Sequence, residues 1–545
     1  MWHKSLSYLF FLSLLASVVV VHADTIPTLR FPDDFANPLH YNGCTIRLRQ
    51  RLYVTRNNNL QRFGQVTLSS QQLSTPTEVT MPGSVAYTAL VTANASDQLI
   101  LDDGNAALYP SPIPYLDIDG SCRTGSYIDS ITGVFTVQSY GNVLTPIVPI
   151  CFKGNRRPSA PVLRSNGNLR VAAFNMKYFL VEQFNSSGDF GPTNATMATR
   201  QQTKLRQALQ AIDADIYGLI EVQSGQNALR VMTDSLNAAA GTVRYAYVND
   251  GSSTYSTYTK VGYIYRSDRV EPVGSIYNNN TGRIYNRKKA QAFRLLANNE
   301  KFIFCLNHFR SKGCGSGATG NDSDQGDGQG CYNATRISEA RSVVNRISQY
   351  ITAYGDSDVL IMGDLNAYTL EDPVRVFDSA GYVDQLHRFM GRAAYSYHYG
   401  STVGCLDHAL ANTSMSKQII DATVFHINAD EPTWFEYDQS TWSNDMYRSS
   451  DHDAIVLALS LGASNTRVDK VESAHITTFW QGNMLHVQGA AGMRMSVCNM
   501  QGCTIAEFFL SGNDEIISTL PNMHGMLLLL FRNNSTMQVH KTVHH

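Results

Sequence analysis

Charge is scarce in this chain. Asp, Glu, Lys and Arg make up 16% of its 545 residues, while apolar residues reach 43%. The charged share falls well under the usual quarter, and that balance excludes bulk disorder. Neither sign dominates: the formal charge is −2 and the pI about 6.7, so there is no global basic field and no acidic tail. Beyond the first two dozen residues no apolar run approaches the ~20 residues that cross a bilayer, and no stable membrane insertion is expected. Internal repeats and low-complexity tracts are missing. So are CxxC, HExxH, GxSxG and GxxxxGK[ST], which argues against a structural zinc site, a zinc-protease helix, a nucleophile elbow and a phosphate loop.

What is present begins with length. A chain of this size exceeds one ordinary core, and three or so domains are expected. Residues 1–23 read as an export signal: Lys4 supplies the positive start, residues 6–21 an apolar run, and Val21-His22-Ala23 a cleavage site. The mature chain should begin near Asp24 and work outside the cytoplasm, secreted or at the cell surface. Nine cysteines in an exported chain suggest disulfides plus one leftover thiol. Cys314 and Cys331 bracket a Gly/Asp/Ser-rich loop and form the best pair. Cys498 with Cys503 and Cys122 with Cys151 are further pairings, and Cys44, Cys305 and Cys405 stay unassigned. Cys305, inside FIFCL, reads as a buried small apolar residue.

Three regions follow. Residues 24–160 carry short alternating stretches (TIRLRQRLYVT, FGQVTLSS, SVAYTALVT, GVFTVQSY) between Gly, Pro and Asn, an all-β pattern. The polar segment 153–168 reads as a linker. Over 169–462, apolar strands (LRVAAFN, DIYGLIEV, VGYIYR, FIFCLNHF, DVLIMGDLNA, LDHALA, AIVLALSL) alternate with helices, an α/β architecture. One helix is placed by Leu205, Leu209 and Ile212, and a second runs through Ile337, Ala340, Val344, Ile347 and Ile351. Residues 466–545 return to short strands, as in a small β-sandwich.

In the middle region, polar residues sit at the ends of apolar strands. Asn175, Glu221 and His308 end three of them, Asp364 and Asn366 follow a fourth, Asp407 opens LDHALA, and Asp451-His452-Asp453 precede AIVLALSL. One Asp after a strand is ordinarily a turn residue; six strand ends of this kind form a pattern. Carboxylates such as Glu221 and Asp451 suit Mg²⁺, Mn²⁺ or Ca²⁺. A His beside a carboxylate is an orientable base, and an Asn donates to a phosphoryl oxygen without adding charge. Together they suit attack of water on a phosphate ester.

At these residues (FNMKYF, DADIYGLIEVQ, NHFRSKGCG, GDLNAYTLEDP, GCLDHALAN, YRSSDHDA) the sequence resembles the endonuclease/exonuclease/phosphatase superfamily, and within it the bacterial extracellular nucleases. The resemblance implies a four-layered α/β sandwich, deoxyribonuclease-like, over 169–462. It implies a cation on Glu221 and Asp451 with Asn175 beside it, and His452 as general base oriented by Asp407. Asp364 and Asn366 would position nucleophile and phosphate, His308 would contact the phosphate or the leaving oxygen, and Lys312 with Arg310 would contact the backbone phosphates. Thr257 stands about where such nucleases place an acidic partner for that His. The loop carrying Asp322, Asp324 and Asp327 invites a structural ion, though its spacing departs from the EF-hand. Residues 24–160 resemble an oligonucleotide-binding (OB) type barrel, with Tyr53, Arg56, Arg62, Phe63 and Tyr115 as strand-contact candidates. The last 80 residues resemble a type IX secretion sorting domain, fitted by Gly489, Gly492, Gly502, Pro521, Gly525 and Lys541, so secretion machinery is an expected partner. The implied enzyme is a secreted, monomeric, metal-dependent endonuclease of DNA, with RNA as a further candidate substrate and Mg²⁺ or Mn²⁺, or else Ca²⁺, as cofactor. It would be processed near Ala23 and again between 455 and 480. The alternatives are a secreted phosphatase or sphingomyelinase-type phosphodiesterase, and a non-catalytic nucleic-acid-binding surface protein.

Overall fold

The computed structural model describes residues 26–184, 190–253, 258–279, 286–462, 476–481, 484–498, 504–512, 514–517, 525–533 and 537–544. The export signal, Thr257, Gly502, Cys503 and Pro521 lie outside the described residues.

Two six-stranded sheets form the centre. The first runs Tyr245–Tyr247, Thr259–Arg266, Ile216–Gln223, Leu169–Phe179, Ala454–Leu459, Ile419–Phe425. The second runs Val270–Asn278, Lys288–Leu295, Lys301–His308, Val359–Asp364, Asp407–Ala411, Val383–Asp384. Each holds one parallel pair among antiparallel neighbours: Leu169–Phe179 with Ile216–Gln223, and Lys301–His308 with Val359–Asp364. The sheets repeat one layout, so the strand ends that carry the polar residues gather at one edge. Alternate residues of a strand serve different cores. Val171 and Ala173 pack between the sheets, while Ala172 and Phe174 face the helices Ala195–Ile212 and Asn227–Ala240. In the second sheet Phe304 and Leu306 point inward, and Ile303 and Cys305 face outward toward helices at 333–354 and 372–379. Burial on both faces explains why these strands read as continuous apolar runs. The four-layered α/β arrangement is therefore present.

Local expectations fare unevenly. Leu205, Leu209 and Ile212 are buried on one helix, whose first turn is capped by the Asn194 side chain accepting from the Met197 N–H. The second expected helix is two, Asn333–Val344 and Ile347–Tyr354. The Arg346 N–H turns back to the Val343 carbonyl, tightening the chain and rotating Ile347, Tyr350 and Tyr354 inward.

Residues 28–146 hold an eight-stranded sheet. SVAYTALVT, expected as a strand, is a surface helix, Val85–Ser96. Its Ser84 Oγ accepts from the Tyr87 N–H, and Ala-rich propensity with that cap overrides the apolar alternation. TIRLRQRLYVT is two strands, Thr45–Leu48 and Leu52–Arg56. Cys122 and Cys151 do not pair: one is buried, the other exposed. Cys314 and Cys331 do form a disulfide, and Cys305 is buried. The pairing expected for Cys498 rests on Cys503, outside the described residues. At the C-terminal side, three- and four-stranded sheets pack around Leu485, Met495, Val497 and Leu529.

The N-terminal sheet and the central sandwich share structure. Strand Leu73–Ser74 pairs in parallel with Thr402–Gly404, and Trp434 and Phe435 enter the N-terminal core. Buried Arg123 meets Glu431 and, at 3.3 Å, Asp430. The expected linker is anchored: Arg157 donates to Glu431 at 3.0 and 2.7 Å and lies over the rings of Phe435 and Tyr447.

Candidate active site

Register sets the first contacts. Asp364 is the cross-strand partner of both His308 and Asp407, so three of the residues meet through sheet pairing alone. Gly363, just before, has φ +134°, and a Cβ there would collide with the Asn307 carbonyl oxygen. That close approach is why a glycine precedes Asp364. On the facing sheet the pairing is interrupted between Asn175 and Phe179 and between Leu219 and Val222. These bulges re-aim side chains out of the sheet plane. Non-glycine residues with positive φ cluster here: Lys177, Tyr178, Glu221, Asn366 and Arg448. Such strain persists where the surroundings over-determine it.

His452 Nδ1 lies 2.7 Å from Asp407 Oδ2, and Asp407 also accepts from Ser396 Oγ at 2.8 Å. With Nδ1–H given to Asp407, Nε2 is the acceptor, 3.9 Å from Asp364 Oδ2. Asn175 Nδ2 donates to Asp364 at 3.1 Å. The Asn366 backbone N–H donates to Asp364 at 2.8 Å and its side chain to the Phe309 carbonyl at 3.1 Å. His308 Nε2 sits 3.5 Å from Glu221 and 3.7 Å from Asp364, while its buried Nδ1 has no hydrogen-bond partner among the described residues. Glu221 accepts from the Tyr178 N–H at 3.0 Å.

The electrostatics are those of crowded acids. Burial, with Asp451 and Asp364 nearby, pushes the Glu221 carboxyl up to about 7. Burial also raises Asp364, with Asp407 adding to it against His452. Burial opposes charge on His452, but Asp407, Asp364 and Asp451 together hold it well above the usual imidazole value. His308 goes the other way: burial, Arg287 and His452 keep it neutral. Asp451 stays below the usual carboxylate value despite burial, through Lys177, His452 and Arg448. Lys177 and Arg448 are shared with a second carboxylate, because both donate at 2.8 Å to Glu436.

The donor set therefore fits a hard divalent cation. Glu221 and Asp451 are half-buried carboxylates, the charge of Asp451 raises Glu221, and a cation would offset that surplus beside the amide of Asn175. Among the described residues, the grouping whose donor atoms the structure brings together is Asp364, Asp407 and His452, within 4.8 Å of one another.

The remaining expected residues stand apart. Lys312 Nζ is bound to Glu371 at 2.6 Å, and Arg310 lies over the Tyr332 ring at 4.3 Å. The loop aspartates are hydrogen-bonded locally: Asp322 accepts from Thr335, Asp324 from the Gly326 N–H, and Asp327 from Gln329. Sequence reasoning assigned no role to Lys177, Arg448, Ser396 or Tyr397, whose ring packs 4.7 Å from that of His452. The first two lie inside the quoted FNMKYF and YRSSDHDA, but nothing in those strings marks which residue turns toward the site. Asp453, also in SSDHD, is structural: one of its oxygens accepts from the Ile427, Asn428 and Ala429 N–H groups.

A family model described as the Endonuclease/Exonuclease/phosphatase family matches residues 178–452, and the chain belongs to that family. The family takes in nucleases and phosphatases, hydrolases of phosphate esters that use divalent metals. Among solved structures, the mannosyl-6-phosphatase of Bacteroides thetaiotaomicron VPI-5482 is 14% identical over 53% of this chain and 99% of its own, at TM-score 0.36. The human Nocturnin catalytic domain is 13% identical over 55% and 96%, at TM-score 0.35. D. rerio TDP2, complexed with single strand DNA product, is 16% identical over 53% and 97%, at TM-score 0.34. No curated protein sequence matches the chain.

Proposed function

We propose that this protein is a secreted, divalent-metal-dependent nuclease that hydrolyses phosphodiester bonds of extracellular DNA, and of RNA as a second substrate. The observation that carries the reading is the His452–Asp407 pair, 2.7 Å apart, next along the chain to Asp451, which with Lys177 and Arg448 lines a cleft of about 410 Å³. Export rests on residues 1–23. Processing compatible with the fold falls after Gly462, because Ala454–Leu459 is an interior strand of the first sheet. Intact mass of the protein from culture supernatant tests both cuts.

In this reading Glu221 and Asp451, with Asn175, hold Mg²⁺ or Mn²⁺, which when bound neutralises charge on the phosphoryl group. With charge on the neighbouring carboxylates offset by the cation, the imidazole that they otherwise hold protonated can be neutral; His452 Nε2 then takes the proton from the attacking water, and Asp407 keeps the ring in the tautomer that can accept it. Asp364 and the Asn366 amide orient water and phosphate, and neutral His308 faces the phosphoryl or leaving oxygen. Lys312 and Arg310 have other partners and are left out of this scheme.

The test is digestion of supercoiled plasmid, single-stranded DNA and RNA with Mg²⁺, with and without EDTA, beside 4-nitrophenyl phosphate as a monoester. EDTA-sensitive nicking of plasmid is expected. Turnover of the monoester with every nucleic acid left intact overturns the nuclease reading in favour of a phosphatase.

A further inference from the structure

The cleft does not stop at the central sandwich. Its lining takes in Arg56, at the end of a strand of the N-terminal sheet, with Asn57 and Asn58 just beyond, and also Tyr397 and Tyr399. Tyr397–Tyr399 is one arm of a hairpin whose other arm, Thr402–Gly404, pairs with Leu73–Ser74 of the N-terminal region. One short strand therefore carries Tyr397 against His452 and, two residues on and so on the same face of the strand, Tyr399, which is 71% exposed.

Charge along the cleft is arranged unevenly. Glu431 is buried and taken by Arg157 and Arg123. Lys177 and Arg448 are taken by Glu436. Arg56 is exposed, and among the described residues no carboxylate pairs with it. A cation that no described carboxylate pairs with and an exposed ring, both lining a cleft that also takes in Asp451, match one repeat of a nucleic-acid strand: a phosphate for the guanidinium and a base for the ring. Of the five candidates in the N-terminal region, the structure selects Arg56. Tyr115 is buried in the core, and Tyr53, Arg62 and Phe63 do not line the cleft.

We infer that this cleft is a substrate subsite in which Arg56 holds a phosphate flanking the scissile one and Tyr399 stacks the adjoining base, so that the N-terminal sheet grips the strand being cut. The inference rests on the nuclease reading and deepens it: the enzyme takes strands of several nucleotides in preference to isolated diesters. The N-terminal sheet is then part of the substrate site rather than a separate tether.

The test separates binding from cleavage. Anisotropy of a labelled single-stranded oligonucleotide of about a dozen nucleotides is measured in EDTA, so turnover plays no part. KM and kcat are measured in Mg²⁺ with the same strand and with bis(4-nitrophenyl) phosphate, which is too short to reach Arg56. Arg56→Glu and Tyr399→Ala should each weaken strand binding and raise KM about 10-fold. The long-to-short ratio of kcat/KM should fall by the same factor, and Arg56→Ala should lower the slope of log affinity against log salt by about 0.7. Both side chains are exposed, and an unchanged thermal midpoint checks that the fold is kept. Unchanged binding and KM with a wild type that cuts DNA overturns the subsite and leaves the nuclease reading standing. Arg56-dependent binding without any cleavage supports the subsite and overturns the nuclease reading. Equal losses on both substrates overturn the subsite, because the side chains would then act through the active site.

Discussion

The His452–Asp407 pair allows a quantitative test. His452 is 7% exposed and Asp407 1% exposed, with 2.7 Å between Nδ1 and Oδ2. Removing the imidazole by His452→Ala deletes the proton acceptor, and a positioned base is worth about 10²–10⁴ in kcat, or about 2.7–5.4 kcal/mol of barrier. The change also leaves Asp407 buried with Ser396 and the Asp364 neighbourhood, which costs stability of about 1–3 kcal/mol. Rates must therefore be taken well below the thermal midpoint, with the midpoint measured for each variant. Asp407→Asn places an N–H where the imidazole donated and favours the tautomer whose Nε2 carries the proton. Its loss should fall in the same range. Because the two residues act as one device, the double variant should lose about as much as the worse single variant, rather than the product of both losses. The assay is initial-rate nicking of supercoiled plasmid at saturating Mg²⁺ and substrate. If His452→Ala keeps near-normal kcat, or if two losses of about 10³ multiply to about 10⁶, the pair is not the base and its orienter, and His308 becomes the better candidate.

Other expectations follow from the same structure. Glu221→Gln should abolish cleavage and also the rise in thermal midpoint that Mg²⁺ gives the wild type; if the rise survives, the cation sits instead among Asp364, Asp407 and His452. Arg123→Met removes the buried cation from Asp430 and one of the two arginines from Glu431 and should destabilise the chain by about 3–5 kcal/mol in urea unfolding; a change under about 1 kcal/mol would show that this interface contributes little. Burial disfavours charge on His387, but Asp384 and Glu78 outweigh it and carry its pKa to about 10. The folded value lies above the unfolded one of about 6.5, so its stabilisation is complete below pH ~6.5 and is lost as pH rises toward 10. His387→Gln should therefore be less stable than wild type at neutral pH by a few kcal/mol, with the gap closing by pH ~10; a gap independent of pH would refute the charge argument.

The sequence alone determined a good deal here, because two signals in it are local. Strands buried on both faces must be apolar throughout, so LRVAAFN, FIFCLNHF, VLIMGD and AIVLALSL stand out as strands from their residues alone. The polar residue closing or preceding each run marks the edge at which those strands end. That mark groups Asn175, Glu221, His308, Asp364, Asp407 and His452; the parallel pairs set the strand ends of Asn175 and Glu221, and of His308 and Asp364, side by side, antiparallel pairing adds Asp407, and His452 joins through Asp407. What the sequence could not hold is anything fixed by a partner distant along the chain. SVAYTALVT alternates like a strand, yet a capped helix on the surface wins because no sheet neighbour claims it. Lys312 reads as a phosphate contact in RSKG, but the fold sets Glu371 beside it. The orientations of Lys177 and Arg448 depend on positive-φ backbone held by packing, and both are drawn to Glu436. Tertiary structure alone decided that Arg56, some 400 residues before Asp451 in the chain, lines the same cleft, since the joining of Leu73–Ser74 to Thr402–Gly404 and the pairing of Arg123 and Arg157 with Asp430 and Glu431 hold the N-terminal region against the central sandwich.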